Sequence, residues 1–203
     1  MSPYQVVRDF EAAVCEYTGA PYCVTVNSCT MAILLALKWY VTREFAQMRS
    51  RVCIPRHTYV SVPMSIIHAG GHVSFRDESW LGQYRLDPFP IYDSARRFTS
   101  GMYIPGAMQC VSFHASKILG DTQGGAILHN DATTDTWFRR MRFDGRTEGV
   151  APKDDHFVAL GYHCYMSADV AARLLVKLYS LPKHNADLPN DDYPDLSTME
   201  IFR

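Results

Sequence analysis

Apolar positions along this chain switch repeatedly between helical spacing and short β runs. Pro3 opens a helix-like stretch to about Tyr17, closed by Thr18-Gly19-Ala20-Pro21. Tyr22–Val26 reads as a strand, Asn27-Ser28-Cys29-Thr30 as the turn after it, and Met31 to about Met48 as a long helix with Ala32, Leu35, Ala36 and Trp39 on one face. Val52–Ile54 predicts a second strand stopped by Pro55, and Val60–Ala69 a helix ending at Gly70-Gly71. Further strands are expected at His72–Phe75, Pro90–Tyr92, Cys110–Phe113 and Ala126–His129, and further helices at Thr134–Phe143 and Ala168–Leu178.

Strand, turn and helix repeated in this way predict an α/β fold with a mainly parallel, doubly covered sheet. The periodic pattern stops near residue 180, and Pro, Asp and Asn dominate the remainder. The expected organisation is one α/β domain over 1–180 followed by a polar C-terminal arm or tail over 181–203. A chain of 203 residues with 47% hydrophobic residues is long enough to bury a substantial core.

Charge narrows the function classes. A formal net charge of −1 lacks the basic excess of a nucleic-acid-binding domain, so no nucleic-acid partner is expected. The longest apolar stretch, AILLALKWYV, is interrupted by Lys38 and is too short to span a bilayer. The N-terminus lacks the shape of a signal peptide. Six cysteines without CxxC spacing read as thiols of a reducing compartment, so a soluble cytoplasmic protein is expected. His57, His68 and His72 fit no pattern of zinc ligands, and no metal is expected.

Ligands of open parallel sheets bind beyond the carboxyl ends of the strands, and four polar clusters fall there. Asn27-Ser28-Cys29-Thr30 opens the long helix, where N–H groups and the positive dipole end suit a phosphate; Ser and Thr are also ordinary helix caps at such a place. Thr58-Tyr59 follows Pro55 and offers an aromatic face to a planar ligand. Asp93 ends a buried strand, where its carboxylate suits a cationic ring nitrogen or a salt bridge to Arg96 or Arg97. Ser112-Phe113-His114-Ala115-Ser116-Lys117, with Gly124-Gly125, brings an amine to a strand end beside glycines that let backbone approach a bound group. His114 suits either the site or a polar contact at the strand end.

Phosphate cup, aromatic face, Asp after a strand and Lys before Gly-Gly follow one another in the order found in fold-type I enzymes that use pyridoxal 5'-phosphate (PLP). The sequence resembles the large domain of the DegT/DnrJ/EryC1/StrS family of sugar aminotransferases. Ser28-Cys29-Thr30-Met31-Ala32-Ile33 is similar to its S-G-T-A-A-L motif, and Pro55 through Tyr59 to P-x-x-T-aromatic. Tyr92-Asp93-Ser94-Ala95-Arg96 corresponds to E-D-x-A-Q/H. Ser112, Phe113, Lys117, Gly124 and Gly125 match S-F-x-x-x-K-x6-G-G without a gap, and Gly161-Tyr162-His163-Cys164-Tyr165-Met166 resembles G-Y-N-Y-R-M.

By this resemblance Lys117 forms the internal aldimine, a Schiff base with the cofactor's aldehyde, and later shuttles the substrate proton. Asp93 keeps the pyridine nitrogen protonated, and Tyr59 stacks on the ring. Thr30, Ser112 and the backbone donors from Ser28 through Cys29 to Thr30 hold the phosphate. The implied reaction is amino transfer from glutamate or glutamine to a keto sugar, nucleotide-linked, in a homodimer with a shared active site.

Several positions depart from the family pattern. Cys29 stands where Gly is usual, and Gln123 where an acidic residue is usual. Arg96 replaces Gln or His near the cofactor, where it would pair with the phosphate or with Asp93. His163 replaces an Asn that reaches the neighbouring subunit's phosphate. Family members also carry a small C-terminal domain, so a shortened chain lacking that domain is expected, with the tail occupying part of its place. An alternative is a non-catalytic homologue that binds PLP or a sugar nucleotide as a partner or regulatory subunit.

Overall fold

The computed structural model describes residues 4–43, 51–190 and 193–202. Helix α1 (Gln5–Thr18) leads into strand β1 (Tyr22–Val26), and α2 (Cys29–Arg43) follows after a two-residue turn. Strand β2 (Arg51–Pro55), α3 (Ser61–Ala69) and β3 (His72–Arg76) form one crossover unit. Next come β4 (Tyr84–Arg85), β5 (Ile91–Asp93), β6 (Met108–Ser112), β7 (Gly125–His129), α4 (Ala132–Met141) and α5 (Ala168–Tyr179). These elements fall where the hydrophobic pattern places them, apart from β4, which was not anticipated. The expected extension of the long helix to Met48 lies outside the described residues.

The main sheet has the order β1-β7-β6-β5-β4, and β2 pairs with β3 in a parallel ribbon. Cys53 in β2 exchanges backbone hydrogen bonds with Asp87, two residues beyond β4, which joins the ribbon to the sheet edge. Following directions through these pairs, β1, β2, β3, β5 and β6 run one way while β4 and β7 run against them. The expected mainly parallel character therefore holds for strand direction, but the two reversed strands make several neighbouring pairs antiparallel. The reason is local. Only residues 86–90 separate β4 from β5, too short a connection for a crossover, and the 113–124 loop turns the chain back from β6 into β7, whereas the 94–107 connection carries β5 over to a parallel β6.

Both faces are covered, as the residue alternation requires. Along β7, Ala126 and Leu128 pack with α1 and α5, while Ile127 packs with α2. Helix α2 is apolar nearly all round, with Ala32 through Leu37 buried, because it lies between the sheet and α3. Glu11 of α1 is buried beneath this architecture. Its carboxylate accepts from the Thr25 N–H (2.9 Å) and hydroxyl (2.8 Å), from Arg139 Nη1 (2.7 Å) and from Arg142 Nη1, tying α1, β1 and α4 together. No helix among the described residues is long and apolar enough to cross a membrane.

The segment after α5 has little regular structure and lies against the domain. Asn185 donates to the carbonyls of Phe98 (3.1 Å) and Pro182 (3.0 Å), Asp187 pairs through both oxygens with Arg97, and Leu196 and Phe202 are buried. Its sparse apolar residues dock into existing hollows, so no periodic pattern marked them in advance.

Candidate active site

The carboxyl ends of β1, β5 and β6 open on one cavity of about 470 Å³. All the predicted site residues except His163 line it. Ser28, Cys29 and Thr30 enter from the start of α2, Tyr59 from the turn before α3, Asp93 and Arg96 from the end of β5, and Ser112 and Lys117 from the end of β6.

The start of α2 forms the polar end of the cavity. Ser28 caps the helix through its hydroxyl, which accepts from the Met31 N–H (3.2 Å). Thr30 points its hydroxyl at Ser61, which begins α3 (2.8 Å), so two helix starts meet there. Gly125 closes the other side: a Cβ at that position would stand 2.4 Å from the Cys29 nitrogen. Only glycine lets β7 approach the helix start this closely, and a single parallel bridge pairs Ser28 with Gly124. Burial pushes the Cys29 thiol well above its usual range, and the Asp93 charge adds to this, which disfavours its thiolate.

Asp93 is only 4% exposed. The register of the antiparallel pair sets Tyr84 directly beside it, and the Tyr84 hydroxyl donates to one carboxylate oxygen (2.9 Å). The Ala95 N–H donates to the other (3.0 Å). With its one proton committed to Asp93, Tyr84 accepts from the Thr58 hydroxyl (2.6 Å), giving the relay Thr58 to Tyr84 to Asp93. Burial raises the Asp93 carboxyl above its ordinary 3.8, and the Ala95 and Tyr84 hydrogen bonds and the charges of Lys117 and Arg96 only partly oppose this. The arrangement suits a cation placed against the carboxylate, because a positive charge there removes the cost of ionising a buried acid.

The loop that carries Lys117 is fixed from both ends. The Lys117 N–H donates to the His114 carbonyl (2.8 Å), and the Asp121 N–H to the Phe113 carbonyl (2.9 Å). Asp121 then accepts from Arg173 Nε (3.1 Å) and Lys177 Nζ (3.2 Å) on α5, and its carboxyl is held well below the usual carboxylate range, chiefly by Arg173. His114 lines the cavity, but its ring also pairs within the loop with the Ser116 hydroxyl (3.1 Å).

His163 lies outside this cavity: its side chain is 72% exposed and its ring pairs with Asp144 (2.9 Å). Three contributors escaped the sequence reading. Tyr84 belongs to a two-residue strand, and its only local signal is the Asp87-Pro88 turn that folds 84–86 back on 91–93. Trp80, whose indole donates to the His57 carbonyl (2.9 Å), and Tyr193 of the C-terminal segment complete the wall beside Tyr59. Neither carries a sequence signal, since long-range chain return brings them together.

No curated protein matches the sequence. Among solved structures, the fold is similar to AtS13 from Actinomadura melliaura (TM-score 0.75, 20% identity, 87% of this chain and 60% of that one). It is also similar to the sugar aminotransferase CalS13 from Micromonospora echinospora (0.73, 19%, 87% and 60%). A third is PseC of Helicobacter pylori, an aminotransferase involved in the biosynthesis of pseudoaminic acid (0.69, 16%, 87% and 57%). At these identities the likeness is one of fold, and the chain spans about 60% of the length of the first of these structures. The sequence pattern of the DegT/DnrJ/EryC1/StrS aminotransferase family matches residues 1–88 and 101–188, leaving the stretch with Asp93 and Arg96 outside the match. With most of its length matched in this way, the chain belongs to the DegT/DnrJ/EryC1/StrS aminotransferase family.

Proposed function

We propose that this chain carries the PLP-binding part of an aminotransferase that moves an amino group from glutamate or glutamine to a keto sugar, nucleotide-linked. The observation that carries this reading is the pairing of a buried carboxylate, Asp93, with an amine, Lys117, on one cavity whose far end is a helix start. The donor set fits the cofactor: a carboxylate for a ring cation, an amine for an aldehyde, and hydroxyls with backbone N–H groups for a phosphate. Bound there, PLP supplies an aldehyde that bonds reversibly to amines and a protonated ring that draws electrons from the carbon losing its proton.

Each residue then has a defined task. Lys117 Nζ would hold the cofactor through its aldehyde and, freed, would serve as the base and acid that moves the proton at the reacting carbon. Asp93 holds the proton on the ring nitrogen, with Tyr84 and Thr58 fixing its orientation. Tyr59, 55% exposed, would offer its face to the ring, and Thr30 with Ser112 and the backbone of Ser28 and Cys29 would receive the phosphate. Mixing the protein with PLP and then glutamate tests the reading. A visible band that shifts on adding the donor supports turnover; a band that no donor shifts favours a non-catalytic binding homologue.

Asp93→Asn separates ligand chemistry from folding. Because the folded carboxyl is raised, its stabilising contribution is present below the ordinary value of 3.8 and is lost as pH rises through the folded value. At pH 7 the Asn variant is therefore expected to melt no lower than wild type as apoprotein, while turnover falls on the order of 10²-fold or more. A melting point many degrees lower would overturn this account of Asp93.

A homodimer with a shared site is part of the proposal. The loop between α4 and α5 exposes Phe157, Val158 and Leu160, the last at 95%, just before His163, which lies outside its own cavity. Such an apolar stretch on a loop suits burial against a second copy. Phe157→Ser with Leu160→Asp is expected to shift the protein to monomer in sedimentation and to weaken PLP binding. A wild-type monomer that turns over fully would exclude the shared site. We take residues 1–180 as one unit followed by a C-terminal arm over 181–203, in a cytoplasmic setting.

A further inference from the structure

A second cavity, of about 490 Å³, opens at the β1 edge of the sheet, between α1, α4 and the loop that follows α4. It shares no lining residue with the cofactor cavity. Arg8, Arg139, Arg140 and Arg146 line it, together with two carboxylates, Glu11 and Glu148. Both carboxylates are already engaged by Arg142, which is buried and is not part of the lining. Glu11 takes its Nη1, and Glu148 takes its Nε (3.0 Å) and Nη2 (2.7 Å). Arg139 is committed too, to Asp135 (2.7 Å), Glu11 (2.7 Å) and the Cys23 carbonyl (3.3 Å).

The other three guanidiniums keep most of their donors. Among the described residues the Arg8 side chain meets only Glu148, at 3.8 Å, and the Arg140 side chain makes no hydrogen bond or ion pair. Arg146 lies over the Phe143 ring (5.2 Å to the centroid) and donates once, to the Val150 carbonyl (3.3 Å). Asp155 of the same loop accepts from the Thr147 N–H (2.6 Å) and the Phe157 N–H (3.2 Å), and among the described residues it forms an ion pair with none of the three. A guanidinium carries five N–H donors in a flat fork that meets a phosphate with two parallel bonds. Like charges gathered round a hollow also focus their field on what enters it. Ala12, Pro21 and Tyr22 add an apolar wall. We propose that this cavity is a binding site for a phosphate-bearing small molecule, with Arg8, Arg140 and Arg146 on the phosphate. The site does not depend on the reading of the other cavity, and a protein that took up no PLP would leave it untouched.

Titration of the full chain with inorganic pyrophosphate tests it, read through the arginine Nε–H signals in ¹⁵N NMR spectra and assigned by single substitutions. The Arg8, Arg140 and Arg146 signals are expected to shift together and to saturate, with a dissociation constant below about 1 mM. The Arg96 signal marks any separate binding in the cofactor cavity. Arg140→Ala should weaken binding about tenfold, the scale of one hydrogen bond to a charged group, as read at Arg8 and Arg146. Arg140→Glu should abolish it. Both variants should melt as wild type does, because that side chain holds nothing in the fold. ADP in place of pyrophosphate separates two sources of the phosphate. Tighter binding of ADP assigns the apolar wall to the organic part of a nucleotide, and equal binding assigns recognition to the phosphates alone. Shifts that never saturate, or an affinity unchanged in Arg140→Glu, overturn the proposal.

Discussion

Lys117→Ala is expected to fold normally, to lose the borohydride-sensitive visible band given by wild type with PLP, and to lower turnover on the order of 10⁴-fold. The size follows from the two tasks proposed for this side chain, holding the cofactor covalently and moving the proton. Folding should be spared because the loop is defined by groups other than this amine. Its backbone bonds run from Lys117 to His114 and from Asp121 to Phe113, and Asp121 is clamped by Arg173 and Lys177. Borohydride reduction followed by peptide mass analysis should place the label at residue 117 in wild type alone. A variant that retained both the band and the turnover would remove Lys117 from the mechanism.

The largest stability effect is expected far from that amine, at Glu11. Its carboxylate is 5% exposed and serves Arg142, itself 3% exposed, as well as Arg139 and both donors of Thr25. Glu11→Ala takes from Arg142 one of its two carboxylates, leaving Glu148 on its Nε and Nη2, and leaves the Thr25 donors without their acceptor, a change that costs about 3 kcal/mol, or roughly 6–12 °C in melting temperature for a chain of this size. Burial by itself would raise the Glu11 carboxyl, but Arg142, Arg139 and the Thr25 N–H outweigh it and hold it below the ordinary 4.5. Its contribution is thus complete above that value and fades as pH falls through the depressed folded value. Wild type should lose stability steeply in that acid window, and Glu11→Ala much less so. Denaturant unfolding from pH 3 to 7 reads both, and parallel curves for the two proteins would contradict the assignment.

What could be read in advance followed the range of each interaction. Strands such as Tyr22–Val26 and helices such as Ala168–Tyr179 declare themselves through local periodicity. Lys117, Asp93 and the Ser28–Thr30 turn were legible because their order along the chain, each at a strand end, already implies a common mouth. Tyr84 was not, since its place beside Asp93 depends on the register of a two-residue strand. Tyr193 was hidden for a different reason: a segment rich in Pro, Asp and Asn reads as solvated, and only the full fold supplies the Trp80 and Arg96 surfaces that receive it.

The close approach at Gly125 sets a length standard for the cavity. Because β7 meets the start of α2 through backbone atoms, the helix start and the loop ahead of β7 are joined without an intervening flexible side chain. The distance from the helix start to the loop ahead of β7 is then set by backbone atoms. Under the proposed reading, a ligand with an anion at one end and a carbonyl at the other has to match that span as well as the charges.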